Sequence, residues 1–354
     1  MEFRMTSTFA DIERSLRQPP PMSEAPTLAP LNLDERSGNE LRPATFDEMV
    51  GQTRLKSLLQ RVVSVAKTTG KPLDHMLLVG SAGTGKTTFA LVIAHELGTR
   101  VFMLKAPVAF NMFEALAQAA RPGDVCVIDE IHLQCSGDRR GLTQAADPEV
   151  FYHVLEDKRL MAESTMIPFP DVTFIGCTTD AGLLPEPFLD RFPLQPQLDE
   201  YTDEEMAVLA KANARWLDMQ IDDSAALVFA RASRDVPRQI NTYVRNARSL
   251  NVGSIDEWVA KEIVCSLNST TLDGLTRDMQ LMLKFLLACR REDAKGNVRY
   301  QSGVNSIATA LGKSRDSKAV ALYVEPYLIK AGYVIVTHGG RALTDRGRER
   351  AEQL

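Results

Sequence analysis

Cysteine is scarce and scattered in this sequence of 354 residues: five in all, at positions 126, 135, 177, 265 and 289. Their number is odd and none forms a C-x-x-C pair, so neither a disulfide framework nor a zinc site is expected, and the five read as buried reduced thiols. Long apolar runs are also missing. Nothing approaches the roughly 18 uninterrupted apolar residues of a spanning helix, and the N-terminal MEFRMTSTFADIER lacks the apolar core of a secretion signal. The expectation is a cytoplasmic protein without membrane association. No internal repeat is visible. What the chain does have is ordinary: 44% apolar and 25% charged residues exclude collagenous and wholly disordered classes. At roughly 100 to 200 residues per domain, two or three domains fit.

The net charge of −5 argues against a generic nucleic-acid binder, but the charge is unevenly spread. Residues 271–354 hold 14 of the 41 Lys and Arg and 9 of the 46 Asp and Glu, a local balance of +5 against −10 for residues 1–270. The C-terminal segment is the basic one.

Prolines at 19–21, 26 and 30 among unpatterned polar residues mark residues 1–41 as a flexible tail. From 42 to 197, apolar runs at 76–79, 100–104, 125–128 and 172–177 alternate with helical patterns at 55–68 and 87–97, the rhythm of a parallel sheet covered by helices. Residues 198–270 lose the strand signal and predict successive helices at 204–218, 222–233, 237–250 and 255–266. A linker at 268–274 leads into a third domain, 271–354. Its helices are predicted at 278–290, 304–311 and 317–330, and its strands at 333–337 and 341–344 flank His338-Gly339-Gly340. Helices followed by a two-stranded wing describe a winged helix.

Gly80-Ser81-Ala82-Gly83-Thr84-Gly85-Lys86-Thr87 fits G-x-x-x-x-G-K-[ST] between a predicted strand and a predicted helix. There, backbone N–H groups and a helix N-terminus can surround a triphosphate. Lys86 would reach the phosphate oxygens and the Thr87 hydroxyl would ligate Mg²⁺. Val125-Cys126-Val127-Ile128 runs into Asp129-Glu130, two carboxylates at a strand's carboxyl end, where open α/β sheets place ligands. Asp129 suits the metal's water shell and Glu130 the activation of an attacking water, as ATP hydrolysis requires.

These motifs resemble the AAA+ family, and within it the RuvB motors that migrate Holliday junctions. Further segments carry the resemblance: Leu41-Arg42-Pro43, Val50-Gly51-Gln52, Leu73-Asp74-His75, Asp129-Glu130-Ile131-His132, Gly176-Cys177-Thr178-Thr179, Asp190-Arg191-Phe192, Val236-Pro237-Arg238, and Glu325-Pro326-Tyr327-Leu328-Ile329 with Gly332. The resemblance implies an AAA+ P-loop NTPase sheet (42–197), a helical lid (198–270) and a winged helix. It implies ATP contacts from Leu41, Arg42, Gly83, Gly85, Lys86, Thr87, Thr88, Tyr201 and Arg238, with Thr179 as γ-phosphate sensor and Arg238 as second sensor. Glu156-Asp157-Lys158 resembles another nucleotide contact, with Lys158 at a usually aromatic position. Arg191 would be an arginine finger reaching the neighbour's nucleotide, and so implies a homo-oligomer, a hexamer in this family. Duplex or four-way-junction DNA is the implied partner.

The sequence also departs from the family. RuvB carries a long β-hairpin that docks its partner RuvA. Here residues 159–170, with two prolines, are expected to lose both reach and strand pairing, so the protein should load without a RuvA-type partner or use a different one. A polar loop at 135–148 stands before the helix instead. The wing has Val336 and Gly339 at family basic positions and keeps Arg341, with Lys313, Arg315 and Lys318 as compensating DNA contacts. The rival expectation is an AAA+ loader or assembly switch whose winged helix is a protein adaptor.

Overall fold

Segments in which every side chain is apolar must bury both faces when they form strands, and the first part of the chain does so. The computed structural model describes residues 27–33, 41–135, 148–162, 165–292, 298–313 and 317–354. Most of the expected tail, the polar loop at 136–147 and Arg315 lie outside the described residues. The chain divides into two compact units, residues 1–199 and 200–354.

The first unit contains β1 (Met76–Val79), β2 (Val101–Lys105), β3 (Val125–Asp129), β4 (Arg159–Ala162), β5 (Thr165–Pro168) and β6 (Thr173–Thr178). Four of them make one sheet in the order β1-β6-β3-β2, with every pairing parallel. Both edge strands make backbone hydrogen bonds outside the sheet. Along β1, Leu77 N donates to Leu194 O at 2.8 Å and Val79 N to Pro196 O at 3.1 Å. On β2, Leu31 N donates to Val101 O at 2.8 Å, so residues 27–33, read from sequence as tail, are tied to the sheet.

Apolar layers pack on both faces. One joins Phe89, Val92 and Ile93 of the helix Lys86–Leu97 to Leu55, Leu59 and Val63 of the helix Thr53–Thr69. The other is aromatic: Phe151 lies 5.3 Å from Phe174 and 5.7 Å from Phe188, which is 5.2 Å from Phe192. Edge-to-face and tilted rings at these spacings have a preferred geometry as well as buried area, so the helices Pro148–Glu156 and Glu186–Leu189 are locked against one another.

The expectation that residues 159–170 lose strand pairing is wrong. β4 and β5 pair antiparallel from Arg159↔Pro168 to Ala162↔Thr165, because Pro168 sits at the base of the hairpin and Pro170 beyond it, where no ladder bond is interrupted. The thiols also differ from expectation. Cys126 and Cys177 are buried, with burial pushing their pKa values up, but Cys265 is exposed.

The second unit begins with the helices Asp203–Trp216, Asp223–Ser233, Pro237–Ser249 and Glu257–Glu262. Thr202 and Glu205 form a reciprocal capping box at the first of these. β7 (Gln220–Ile221) and β8 (Ser254–Ile255) pair parallel between them. Next come the helix Arg277–Ala288, β9 (Arg290–Glu292), β10 (Val298–Ser302), the helices Val304–Ala310, Ser317–Tyr323 and Glu325–Lys330, β11 (Val334–Thr337), β12 (Gly340–Leu343) and the helix Asp345–Glu352. These strands form an antiparallel sheet in the order β11-β12-β10-β9. The single helix expected over 317–330 is two helices, because Pro326 has no N–H to continue the ladder. Among the described residues, no helix is long and apolar enough to cross a membrane.

Candidate active site

Because β6 lies between β1 and β3, three loops leave the carboxyl edge of the sheet side by side. The glycine-rich loop follows β1, and Gly80 N donates to Thr178 O at 3.2 Å, joining it to β6. Gly83 and Gly85 have φ values of 81° and 108°, a left-handed backbone that only glycine adopts freely. Their turn delivers Lys86 to the start of its helix, whose N-cap, Gly85, supplies no side-chain hydrogen bond, leaving first-turn N–H groups for an anion. Lys86 is buried and its Nζ donates to Gly80 O at 2.8 Å and Ser81 O at 2.9 Å. Thr88 follows in the same turn, half-buried.

At the end of β3, Asp129 Oδ1 lies 3.5 Å from Thr87 Oγ1. A carboxylate and a hydroxyl at this separation are hard oxygen donors that fit Mg²⁺, which binds through one or two protein oxygens and retained waters. Glu130 has φ 51°, a conformation costing a non-glycine residue on the order of 1–3 kcal/mol. Its Oε2 accepts from Thr179 Oγ1 at 3.1 Å and lies 3.4 Å from His132 Nδ1. His132 Nδ1 is in turn 3.0 Å from the buried Thr178 Oγ1, which also accepts from Asp180 N at 3.1 Å. The four side chains Glu130, Thr179, His132 and Thr178 thus form one polar network.

His132 and Thr178 were not singled out from sequence. Their signal was present in Asp-Glu-Ile-His and Thr-Thr, but which threonine faces inward depends on strand register. Gln52 was likewise seen only as part of a motif. Buried and with φ 52°, it clamps the chain beside β1: its Nε2 donates to Asp199 O at 2.5 Å, and its Oε1 accepts from Asp199 N at 3.0 Å. Leu41 is buried and Arg42 half-buried.

Arg191 follows the helix Glu186–Leu189 within the first unit. Its Nη2 lies 2.8 Å from Glu156 Oε1, its guanidinium carbon sits 4.6 Å from the Tyr152 ring centroid, and its Nη1 donates to Pro187 O. Tyr201 and Arg238 belong to the second unit, Tyr201 buried just before the N-cap Thr202 and Arg238 exposed in the first turn of Pro237–Ser249.

The cations assigned to DNA fare unevenly. Arg341 is committed elsewhere: its Nε and Nη2 each donate to a carboxylate oxygen of the buried Glu325 at 2.8 Å. The fork that would meet a phosphate holds the domain together instead. Lys313 Nζ is 2.8 Å from Asp278 Oδ2, and Lys318 is exposed in the first turn of Ser317–Tyr323.

Known proteins resemble this chain over most of its length. A family model described as "Holliday junction DNA helicase RuvB P-loop domain" matches residues 41–198, and one described as "RuvB C-terminal winged helix domain" matches residues 296–351. The Holliday junction branch migration complex subunit RuvB of Kosmotoga olearia is 32% identical over 326 residues, covering 88% of this chain and 90% of its own. Its counterpart from Crocosphaera subtropica is 33% identical over 326 residues, covering 88% and 86%. Among solved structures, the Thermotoga maritima RuvB Holliday junction branch migration motor superposes with a TM-score of 0.73 at 30% identity, over 89% of this chain and 99% of that one.

Proposed function

This chain belongs to the RuvB family, and on that footing we propose that it is an ATP-driven motor that migrates Holliday junctions. The observation that carries the chemistry is the adjacency of Thr87 with Asp129 and of Thr179 with Glu130 at neighbouring strand ends. Lys86 and the loop amides, with Gly83 and Gly85 shaping the turn, hold the phosphates. Thr87 and Asp129 hold Mg²⁺, which supplies charge neutralisation at the phosphate oxygens. Glu130, fixed by Thr179, accepts the proton of the attacking water. Leu41, Arg42 and Thr88 add nucleotide contacts in this unit, and the family resemblance assigns Tyr201 and Arg238 of the second unit to the nucleotide as well.

Arg191 supplies the guanidinium to a neighbouring subunit's nucleotide, so the working form is a homo-oligomeric ring, a hexamer. Duplex or junction DNA is the partner of the basic C-terminal segment, with Lys318, Lys313 and Arg315 as the candidate contacts. A hairpin four pairs long reaches only roughly 13 Å, so loading proceeds without a RuvA-type partner or with a different one. The site of action is the cytoplasm.

The commitment of Arg341 to Glu325 and of Lys313 to Asp278 favours one second reading, an ATP-controlled assembly switch with the winged helix as a protein adaptor. Dissociation of a synthetic four-way junction by the isolated protein separates the two. ATP-dependent dissociation is expected, absent in Lys86→Ala, which cannot bind ATP productively, and in Glu130→Gln, which binds ATP but stalls. Turnover that DNA does not stimulate, with the junction left intact, would establish the switch instead.

A further inference from the structure

An arginine that acts across a subunit boundary gains most when its orientation is set before the neighbour arrives, because a preorganised charge needs no rearrangement at the moment of reaction. Arg191 is held in this way inside its own unit. Tyr152 and Glu156 stand one turn apart on the helix Pro148–Glu156, a spacing that puts both on one helical face. The guanidinium lies over the Tyr152 ring at 4.6 Å and meets the Glu156 carboxylate at 2.8 Å. Pro187 O takes a third contact, from Nη1.

The cage is itself anchored. The Tyr152 ring is 5.8 Å from Phe188, whose partner Phe192 follows Arg191 directly. Only 18% of the Arg191 side chain is exposed, against 54% for Glu156. A charge-assisted bond to a carboxylate and stacking on an aromatic face together define both the position and the plane of a guanidinium. Each Nη carries two hydrogens, and the contacts to Pro187 O and Glu156 need one on each nitrogen.

We propose that Tyr152 and Glu156 are positioning residues for the trans-acting Arg191, setting the guanidinium plane that the next subunit's nucleotide meets. This rests on Arg191 being the finger. It assigns Tyr152 a role that no motif marked, and Glu156 a role toward the arginine rather than toward its own subunit's nucleotide. A cage that instead parked Arg191 in an inactive pose would predict faster turnover once removed.

The test uses the full-length protein with DNA, reading steady-state ATP hydrolysis, affinity for a fluorescent ADP analogue, and assembly by mass photometry. Tyr152→Leu and Glu156→Gln are each expected to lower kcat roughly tenfold while leaving KM and analogue affinity within about twofold. Tyr152→Phe, which keeps the aromatic face, should retain parental kcat. Mixing either defective variant with Lys86→Ala should restore turnover, because the Lys86→Ala subunit brings an intact Tyr152, Glu156 and Arg191 to the interface. Should Tyr152→Leu fail to assemble, Glu156→Gln, altered at a largely exposed carboxylate, carries the test. Arg191→Ala with parental turnover would remove the finger reading itself. If Arg191→Ala loses turnover while Tyr152→Leu and Glu156→Gln match or exceed the parent, the finger stands and the positioning role is overturned.

Discussion

At Glu130 a glutamate occupies left-handed backbone, and two neighbours meet its carboxylate: Thr179 on one side, His132 on the other. Strain of this kind persists only where the surroundings over-determine it. His75, before β1, shows what burial does to a titratable group in the same unit. Its Nδ1 accepts from Phe174 N at 3.1 Å and its ring meets the Phe174 ring edge-on at 5.5 Å. Burial, the largest influence, lowers its pKa against the opposing pull of a hydrogen bond to the Leu155 backbone and of Asp171 and Asp74. A histidine with a depressed folded pKa is neutral in the fold, while the unfolded chain takes up a proton near pH 6.5. Its contribution to stability is therefore complete above about pH 6.5 and declines as pH falls from there to the folded value. Urea midpoints at pH 7.5 and 5.5 should show that decline in the parent and a smaller one in His75→Gln; equal declines would assign the pH dependence to other groups.

Two elements carry outcomes that differ from a reading of motifs. The broken helix at 317–330 exists because Pro326 ends one ladder and starts another, and this break places Glu325 inside the winged-helix core against Arg341. Removing one partner strands a buried charge, which costs about 3 kcal/mol or more. Arg341→Ala should lower the denaturation midpoint of the winged helix while leaving the DNA affinity of the folded protein nearly unchanged. Lys318→Ala should do the reverse, reducing the slope of log affinity against log salt by about one in fluorescence anisotropy. A salt slope that falls in Arg341→Ala at unchanged stability would return that arginine to the DNA surface. At the β4–β5 hairpin, Met166 is exposed, yet the paired segment is short. Replacing residues 161–167 with a Gly-Ser linker should leave junction dissociation by the isolated protein within about twofold. Specific binding of a RuvA-type protein that this replacement abolishes would show that the hairpin docks a partner.

At the scale of the whole molecule, the role proposed for Arg191 makes each nucleotide site depend on a second copy of the chain to supply its arginine. Arg191→Ala should keep nucleotide affinity and lose hydrolysis, since a finger acts in the transition state. Rings mixed from Arg191→Ala and Lys86→Ala subunits should regain activity wherever a Lys86→Ala subunit presents Arg191 to an intact site. Absence of rescue in verified mixed rings would place the arginine's action within one subunit.

The sequence by itself determined what is local and periodic. The near-continuous apolar runs became β1, β2, β3 and β6, and the spacing Gly80 to Thr87 became a phosphate loop entering a helix with two glycines at positive φ. The carboxylates of Asp129 and Glu130 fell at a strand's carboxyl end because four apolar residues precede them. Tertiary structure decided what depends on neighbours distant in the chain. β6 lies between β1 and β3, and that order alone brings Thr178 and Thr179 to His132 and Glu130. Leu31 joins β2 through a single hydrogen bond that no side-chain pattern encodes. β9, β10 and the final helix are too polar to announce themselves; β10 is held by pairing with β9 and β12, and the final helix buries Ala351. The fate of Arg341 shows the limit most directly: a basic residue on a wing has the same letter whether it meets a phosphate or a buried glutamate, and only folding brought Glu325 within 2.8 Å.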